Sequence, residues 1–166
     1  MGKIRIGFGY DVHRFAEKRD LWLGGVKLPY EKGLKGHSDA DVLIHALCDS
    51  LLGAVNARNI GYYFPDTDVA FKNIDSKIIL QKTMEIVRSK GYELGNVDVT
   101  ICTEKPKLNP FIPQMQSCLA KIMEVEENDV SIKATTSEKM GFIGREEGIA
   151  AYATALVIKN DRPDAD

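Results

Sequence analysis

Asp11 and His13 stand two places apart in the stretch GYDVHRF, and the chain's other histidines, His37 and His45, also fall within its first third. Imidazole is the commonest metal ligand and the usual proton carrier near neutral pH, so this clustering points to metal or proton chemistry. On a strand, residues two apart project the same way with Cα atoms ~6.5 Å apart, close enough for both side chains to reach one cation. His45 lies among apolar neighbours, where a histidine by itself reads as a satisfied core residue. A helix packed against the strand would instead bring it to Asp11 and His13, giving one carboxylate and two imidazoles. Three such ligands with an open fourth position describe catalytic zinc. Cys48, one helical turn beyond His45, would close the site as a fourth ligand and make it structural. The residue types leave both forms open.

Anion chemistry is offered elsewhere. His37 and Ser38 precede a helical stretch whose free N–H groups and positive dipole end favour a negative charge. Ser38 alone reads as a helix N-cap, whereas His37 has no capping role. Two loops, TEKPKL (103–108) and ATTSEKMGFIGR (134–145), each follow a strand-like run. They carry Lys105, Lys107, Thr135, Thr136, Lys139 and Arg145, with an acid at Glu138. Together they suit a diphosphate with a divalent cation, for which Glu138 supplies a hard oxygen ligand. Neither a Walker A nor a Rossmann glycine pattern occurs.

The elements that must position these residues follow from periodicity. Ile4, Ile6, Phe8, Tyr10 and Val12 alternate with Arg5, Gly7, Gly9, Asp11 and His13, the two faces of one strand. LWLGGVKL reads as a short N-terminal hairpin and EKGLKGHS as loop. SDADVLIHALCDSLLGA is helical, with Ser38 as N-cap and Asp41 as a capping-box acid. NIGYYFPDTDVAFKNID reads as loop. A second helix is expected over 76–90, stopped by Gly91, and a third after the proline-rich EKPKLNPFIP, with Met115, Leu119, Ile122 and Met123 inward. NVDVTIC, VSIKATT and IAAYATALVI read as strands, and TSEKMGFIGREEG as loop. The class is α+β: a mixed four-stranded sheet with helices on one face, plus the hairpin. The final strand is apolar on both faces and must be covered on both, so a partner subunit is expected against the sheet.

Composition sets the outer bounds. The 166 residues fit one domain over 1–159, with a polar, disordered tail over 160–166. Twenty-two basic against 24 acidic residues, with no basic block, argue against a nucleic-acid partner. Three scattered cysteines favour free thiols in a reducing, cytoplasmic setting. No stretch has the ~20 apolar residues of a membrane span.

GYDVHRF, HSDADVLIHALCDSLLGA, FPDTD, LGNVDVTI, KPK, IPQM and KATTSEKMGFIGREEGIA, in this order and spacing, resemble the 2-C-methyl-D-erythritol 2,4-cyclodiphosphate synthases over about Lys3 to Lys159. That family makes a cyclic diphosphate in the non-mevalonate isoprenoid pathway and releases CMP. Its members are homotrimers with active sites between subunits. The resemblance implies that Asp11, His13 and His45 bind zinc, or another divalent ion in its place, and leaves Cys48 in the core. It assigns phosphate contacts to His37 and Ser38 and substrate contacts to Gly61 and to Asp66 of FPDTD. Pro106, Lys107 and Leu108, with Thr135 and Thr136, would hold the cytidine diphosphate end. Glu138 would bind Mg²⁺ or Mn²⁺ on the phosphates, so that His37, Ser38, Thr136 and Glu138 form the catalytic set. Phe142 and Arg145 would line a trimer cavity that in family members can hold an isoprenoid diphosphate. Asn59 stands where an acid is common, Glu146 replaces a small residue, and Tyr152 occupies a cavity-facing position that is often acidic. Some members carry a fused cytidylyltransferase, for which 166 residues leave no room.

Overall fold

The structure, a computed structural model, describes residues 3–65, 67–71 and 73–160. Its main sheet has five strands rather than the four expected. β1 (Ile4–Glu17), β4 (Lys32–Leu34), β5 (Tyr92–Cys102), β6 (Val130–Thr135) and β7 (Gly148–Lys159) lie in the order β4-β1-β7-β5-β6. Only β5 and β6 run parallel; the other neighbours are antiparallel, so the sheet is mixed. The extra strand comes from the segment read as loop. Its three residues pair Leu34 with Phe15 and Lys32 with Glu17, a run too short to show any alternation. β2 (Leu21–Leu23) and β3 (Val26–Leu28) form a separate two-stranded ribbon.

Three long helices cover one face. α1 (Val42–Ala54) packs on β1 and β7, α3 (Ser76–Ser89) on β5, and α4 (Ile112–Met123) on β6. Two segments read as loop contain single helical turns, α2 (Ile60–Tyr63) and α5 (Gly141–Gly144). The second helix ends as expected, with Gly91 at φ +77 just past its cap. Asn160, assigned to a disordered tail, is tied down. Its amide donates to the Gly91 carbonyl at 2.8 Å, and its side chain to Glu93 at 2.8 Å. The remaining tail, 161–166, lies outside the described residues.

α1 is buried on almost every side, as an all-round apolar helix must be. Its N-cap is Asp41, not Ser38. Asp41 Oδ1 accepts from the Ile44 amide at 3.1 Å, and the same carboxylate takes the Gly24 and Gly25 amides at 3.0 and 2.7 Å. One buried acid thus closes both the helix start and the turn between β2 and β3. Burial pushes its carboxyl above the ordinary value, against the pull of those amides.

From Arg5 to His13 the inner face of β1 is the one without apolar side chains. A Cβ at Gly7 would lie 1.9 Å from the Ser50 carbonyl oxygen, and one at Gly9 1.9 Å from that of Ala46. Only bare Cα atoms let α1 lie directly on the strand. The apolar residues face the other way, with Ile6 70% and Phe8 65% exposed. Across β7, Tyr152, Leu156 and Ile158 pair with Tyr10, Ile6 and Ile4 and extend this outer surface. Further over it turns polar, with Asp98 of β5 paired to Lys133 of β6. Among the described residues no helix is long and apolar enough to cross a membrane.

Candidate active site

Because Gly9 sits against Ala46, the next inward residue of β1, Asp11, falls beside His45, and His13 follows. Asp11 Oδ2 lies 2.9 Å from His13 Nε2 and 3.1 Å from His45 Nδ1, and the two nitrogens are 3.2 Å apart. Ligand atoms about 2.0 Å from a tetrahedral zinc stand about 3.3 Å from one another, so this triangle has the size of one face of such a site. Among the described residues these three form a group able to hold a metal ion.

Each imidazole is oriented from behind. His13 Nδ1 donates to the Lys35 carbonyl at 2.7 Å, which turns Nε2 toward Asp11. His45 Nε2 lies 3.1 Å from Ser76 Oγ and 3.2 Å from Ser38 Oγ. The Ser76 hydroxyl donates onward to Asp39 Oδ1 at 2.5 Å, so its oxygen is free to accept from His45 Nε2–H, and Nδ1 faces the site. Outer partners of this kind fix the tautomer and ring plane of metal-ligating histidines. Burial alone would raise the Asp11 carboxyl, but hydrogen bonds from His13 and His45 outweigh it and hold the group well below the usual carboxylate range. Burial would likewise lower His13, yet the Asp11 hydrogen bond and charge raise it above its ordinary value. With only these three side chains, the group competes for protons; a cation would replace them.

Asp39 and Ser76 were not singled out from the sequence. Their only signal was an acid inside HSDAD and a serine at a helix start, neither of which points to a histidine. Cys48 is not a ligand. It lies outside the Asp11–His13–His45 group, fully buried in the core, where burial pushes its thiol up to about 12.

The triad opens into a cavity of about 250 Å³ that His37, Ser38, Ile60, Gly61 and Phe64 also line. Ser38 is 7% exposed, and its hydroxyl takes the Ala40 amide at 3.0 Å besides contacting His45. Arg19 holds the same segment, donating to the Gly36 and Ser38 carbonyls at 3.1 and 2.7 Å. Asn59 caps α2 by accepting from the Tyr62 amide at 3.2 Å, a task its amide shares with a carboxylate. Asp66 lies outside the described residues.

A second cavity, about 370 Å³, opens between the ends of β5 and β6. Because these strands are parallel, both loops leave the same edge, and the Thr103 amide joins them by donating to the Thr135 carbonyl at 3.0 Å. Pro106, Lys107, Leu108, Thr135 and Thr136 line it, so the two basic, hydroxyl-rich loops do form one pocket. Glu138 is exposed beside it, with Thr136 Oγ1 donating to its carboxylate at 3.3 Å. Among the described residues the two cavities share none of their lining. Phe142 and Arg145 are exposed in and after α5, and Arg145 pairs with Glu147 at 2.7 Å. Glu146 pairs with Lys105 at 3.1 Å, and Tyr152 packs on Tyr10 with ring centroids 5.1 Å apart.

Residues 4–158 match the model of the YgbB family. The chain is 68% identical over 155 residues to the 2-C-methyl-D-erythritol 2,4-cyclodiphosphate synthase of Azobacteroides pseudotrichonymphae, covering 93% of each chain. It is 65% identical to the protein of that name from Porphyromonas gingivalis, over 93% of this chain and 96% of the relative. Among solved structures it resembles the bifunctional IspDF of Campylobacter jejuni, with 43% identity and a TM-score of 0.92 over 96% of this chain and 43% of the other. It also resembles the CDP complex of IspF from Plasmodium falciparum, with 32% identity and a TM-score of 0.84 over 97% and 99%. A match across almost the whole chain, over a fold that builds both pockets, settles its membership: the chain belongs to the YgbB family.

Proposed function

We propose that this chain catalyses the reaction for which its relatives are named. In it, 4-diphosphocytidyl-2-C-methyl-D-erythritol 2-phosphate becomes the 2,4-cyclodiphosphate and CMP, a step of isoprenoid precursor synthesis. The observation that carries this reading is the pairing of an Asp-His-His cluster with a separate basic, hydroxyl-lined pocket at the sheet edge. An oxygen of the 2-phosphate attacks the β-phosphorus, and the bond from that phosphorus to the bridging oxygen breaks, expelling CMP. Attacker and target are both anions, so repulsion and chain freedom are the obstacles and no general base is needed. Holding the two ends of one molecule together can supply about 7–11 kcal/mol of the barrier. His37 and Ser38 bind the phosphate entering the first pocket, and Gly61 and Asp66 bind the methylerythritol. Pro106, Lys107, Leu108, Thr135 and Thr136 hold the cytidine diphosphate, and Lys107 with Thr136 stabilises the departing charge. A zinc or similar ion on Asp11, His13 and His45 supplies Lewis-acid polarisation and a fixed anchor for phosphoryl oxygens. Glu138 binds the magnesium or manganese ion that accompanies the substrate.

Residues 1–159 act as one domain, and the enzyme works as a trimer in the cytoplasm. An outer sheet face exposing Ile6, Phe8 and Tyr152 suits burial by further copies, because monomers rarely leave so much contiguous apolar surface in water. Two pockets without a shared residue suit a site completed across that contact, with Phe142 and Arg145 near the axis, where an isoprenoid diphosphate would bind. The deciding experiment is turnover in ¹⁸O-labelled water. Ring closure leaves the phosphates unlabelled; label in the product phosphate would show a hydrolase and end this reading.

A further inference from the structure

Glu104 lines neither cavity, yet its carboxylate ties together the two loops that form the second one. Its Oε1 accepts from the Ser137 amide at 3.1 Å, the Ser137 hydroxyl at 3.3 Å and the Lys139 amide at 3.1 Å. Those amides flank Glu138. Glu138 and Lys139 both sit in the left-handed region, at φ 54 and 62, where residues with a Cβ stay only if their surroundings hold them. From behind, α5 closes on the turn so tightly that a Cβ at Gly144 would lie 2.0 Å from the Lys139 carbonyl carbon. In front, Glu104 is the tie. Its chain neighbours Thr103, Pro106 and Lys107 line the nucleotide pocket, as does Thr136, whose hydroxyl touches Glu138.

We propose that Glu104 is a positioning residue that pins the 136–139 turn to the 103–108 loop and so holds the Glu138 carboxylate where a divalent cation meets the substrate's diphosphate. The inference rests on the cation role given to Glu138 above. A second negative charge near a diphosphate is unfavourable in itself, so what the turn requires of Glu104 is an acceptor oxygen. All three contacts use the same oxygen, and a glutamine amide offers an equivalent one.

The test compares wild type, Glu104→Ala, Glu104→Gln and Glu138→Gln by three readouts. They are the Mg²⁺ concentration giving half-maximal turnover, CDP affinity by calorimetry without Mg²⁺, and the melting temperature. Glu104→Ala should raise the Mg²⁺ requirement about 10- to 100-fold, the usual scale for losing a partner that orients a ligand, with metal-free CDP affinity unchanged. Glu104→Gln should stay near wild type. An unchanged Mg²⁺ requirement in Glu104→Ala overturns the proposal, as does a glutamine variant impaired as badly as alanine. Should Glu104→Ala not fold, Glu104→Asp, which keeps the charge but withdraws the oxygen, must show the same shift or the proposal fails. Glu138→Gln separates the two layers of the argument. If its Mg²⁺ requirement matches wild type, the cation role of Glu138 is wrong. If Glu138→Gln shifts and Glu104→Ala does not, only the role of Glu104 falls.

Discussion

The Asp11–His13–His45 pocket sits where a strand and a helix lie in direct contact, whereas the Thr103–Thr136 pocket hangs on two loops leaving parallel strands. In the first, every donor comes from regular structure, and both imidazoles are steered by a partner on their far nitrogen. In the second, the loops meet through one backbone hydrogen bond and one carboxylate, and Lys107, Thr135 and Glu138 stay exposed. A transition-metal site tolerates little error in distance, so it belongs on elements that cannot shift. A nucleotide is held by several weaker contacts and must enter and leave, which loops on a rigid edge allow.

This contrast breaks most sharply at the metal. His45→Ala removes one of three donors and should abolish bound zinc and lower turnover by orders of magnitude. Cys48→Ala should keep both, because its thiol lies in the core. Metal analysis of the two purified variants checks this; loss of zinc from Cys48→Ala would mean a structural site instead.

Next in size is the strand–helix contact. Gly9→Ala places a methyl 1.9 Å from the Ala46 oxygen, a backbone atom that cannot swing aside. Forced overpacking of this kind typically costs about 1–3 kcal/mol. Since His45 adjoins Ala46, the same shift should also weaken zinc. Denaturant midpoints and zinc competition with a chelator should therefore fall together. If stability drops and zinc affinity holds, helix placement does not set the site.

The outer partners come third. Asp39→Asn leaves all three donors in place but weakens the acceptor behind Ser76, and should lower zinc affinity about 10- to 100-fold. In the loop pocket the corresponding part falls to Glu104, which Asp39 does not touch, so Asp39→Asn should leave CDP affinity without zinc unchanged.

The same division explains what could be read from residues alone. Asp11 and His13 were legible because period-two spacing on a strand is a local property, and the two strand-end loops were legible from their prolines, lysines and threonines. Alternation in β1 separated its faces but did not say which is covered. Gly7 and Gly9 carried that information, since glycines on one face of a strand mark a close neighbour. The order of capping residues misled: both Ser38 and Asp41 suit an N-cap, and the choice depends on the Gly24 and Gly25 amides, which belong to another element. β4 was too short to signal itself. Asp39 and Ser76 meet across 37 residues of sequence, a contact only the packed helices create.

The smallest effect is also the sharpest comparison of the two pockets, because it asks whether they serve one reaction across a subunit boundary. Lys107→Ala should lose turnover through the loop pocket while retaining zinc, and His45→Ala should lose it through the metal. If each site takes its histidine from one copy and its lysine from the next, a trimer holding both chains contains some sites with neither defect. In an equal mixture each contributor is intact half the time, so about one quarter of wild-type activity should return after the subunits are exchanged. Sites built within a single chain would recover nothing, since every chain carries one lesion. Exchange itself must be verified by tagging one chain and recovering the other with it. Co-recovery without any return of activity would place both pockets of a working site on the same chain, and the exposed apolar face of β1 would then serve assembly without completing catalysis.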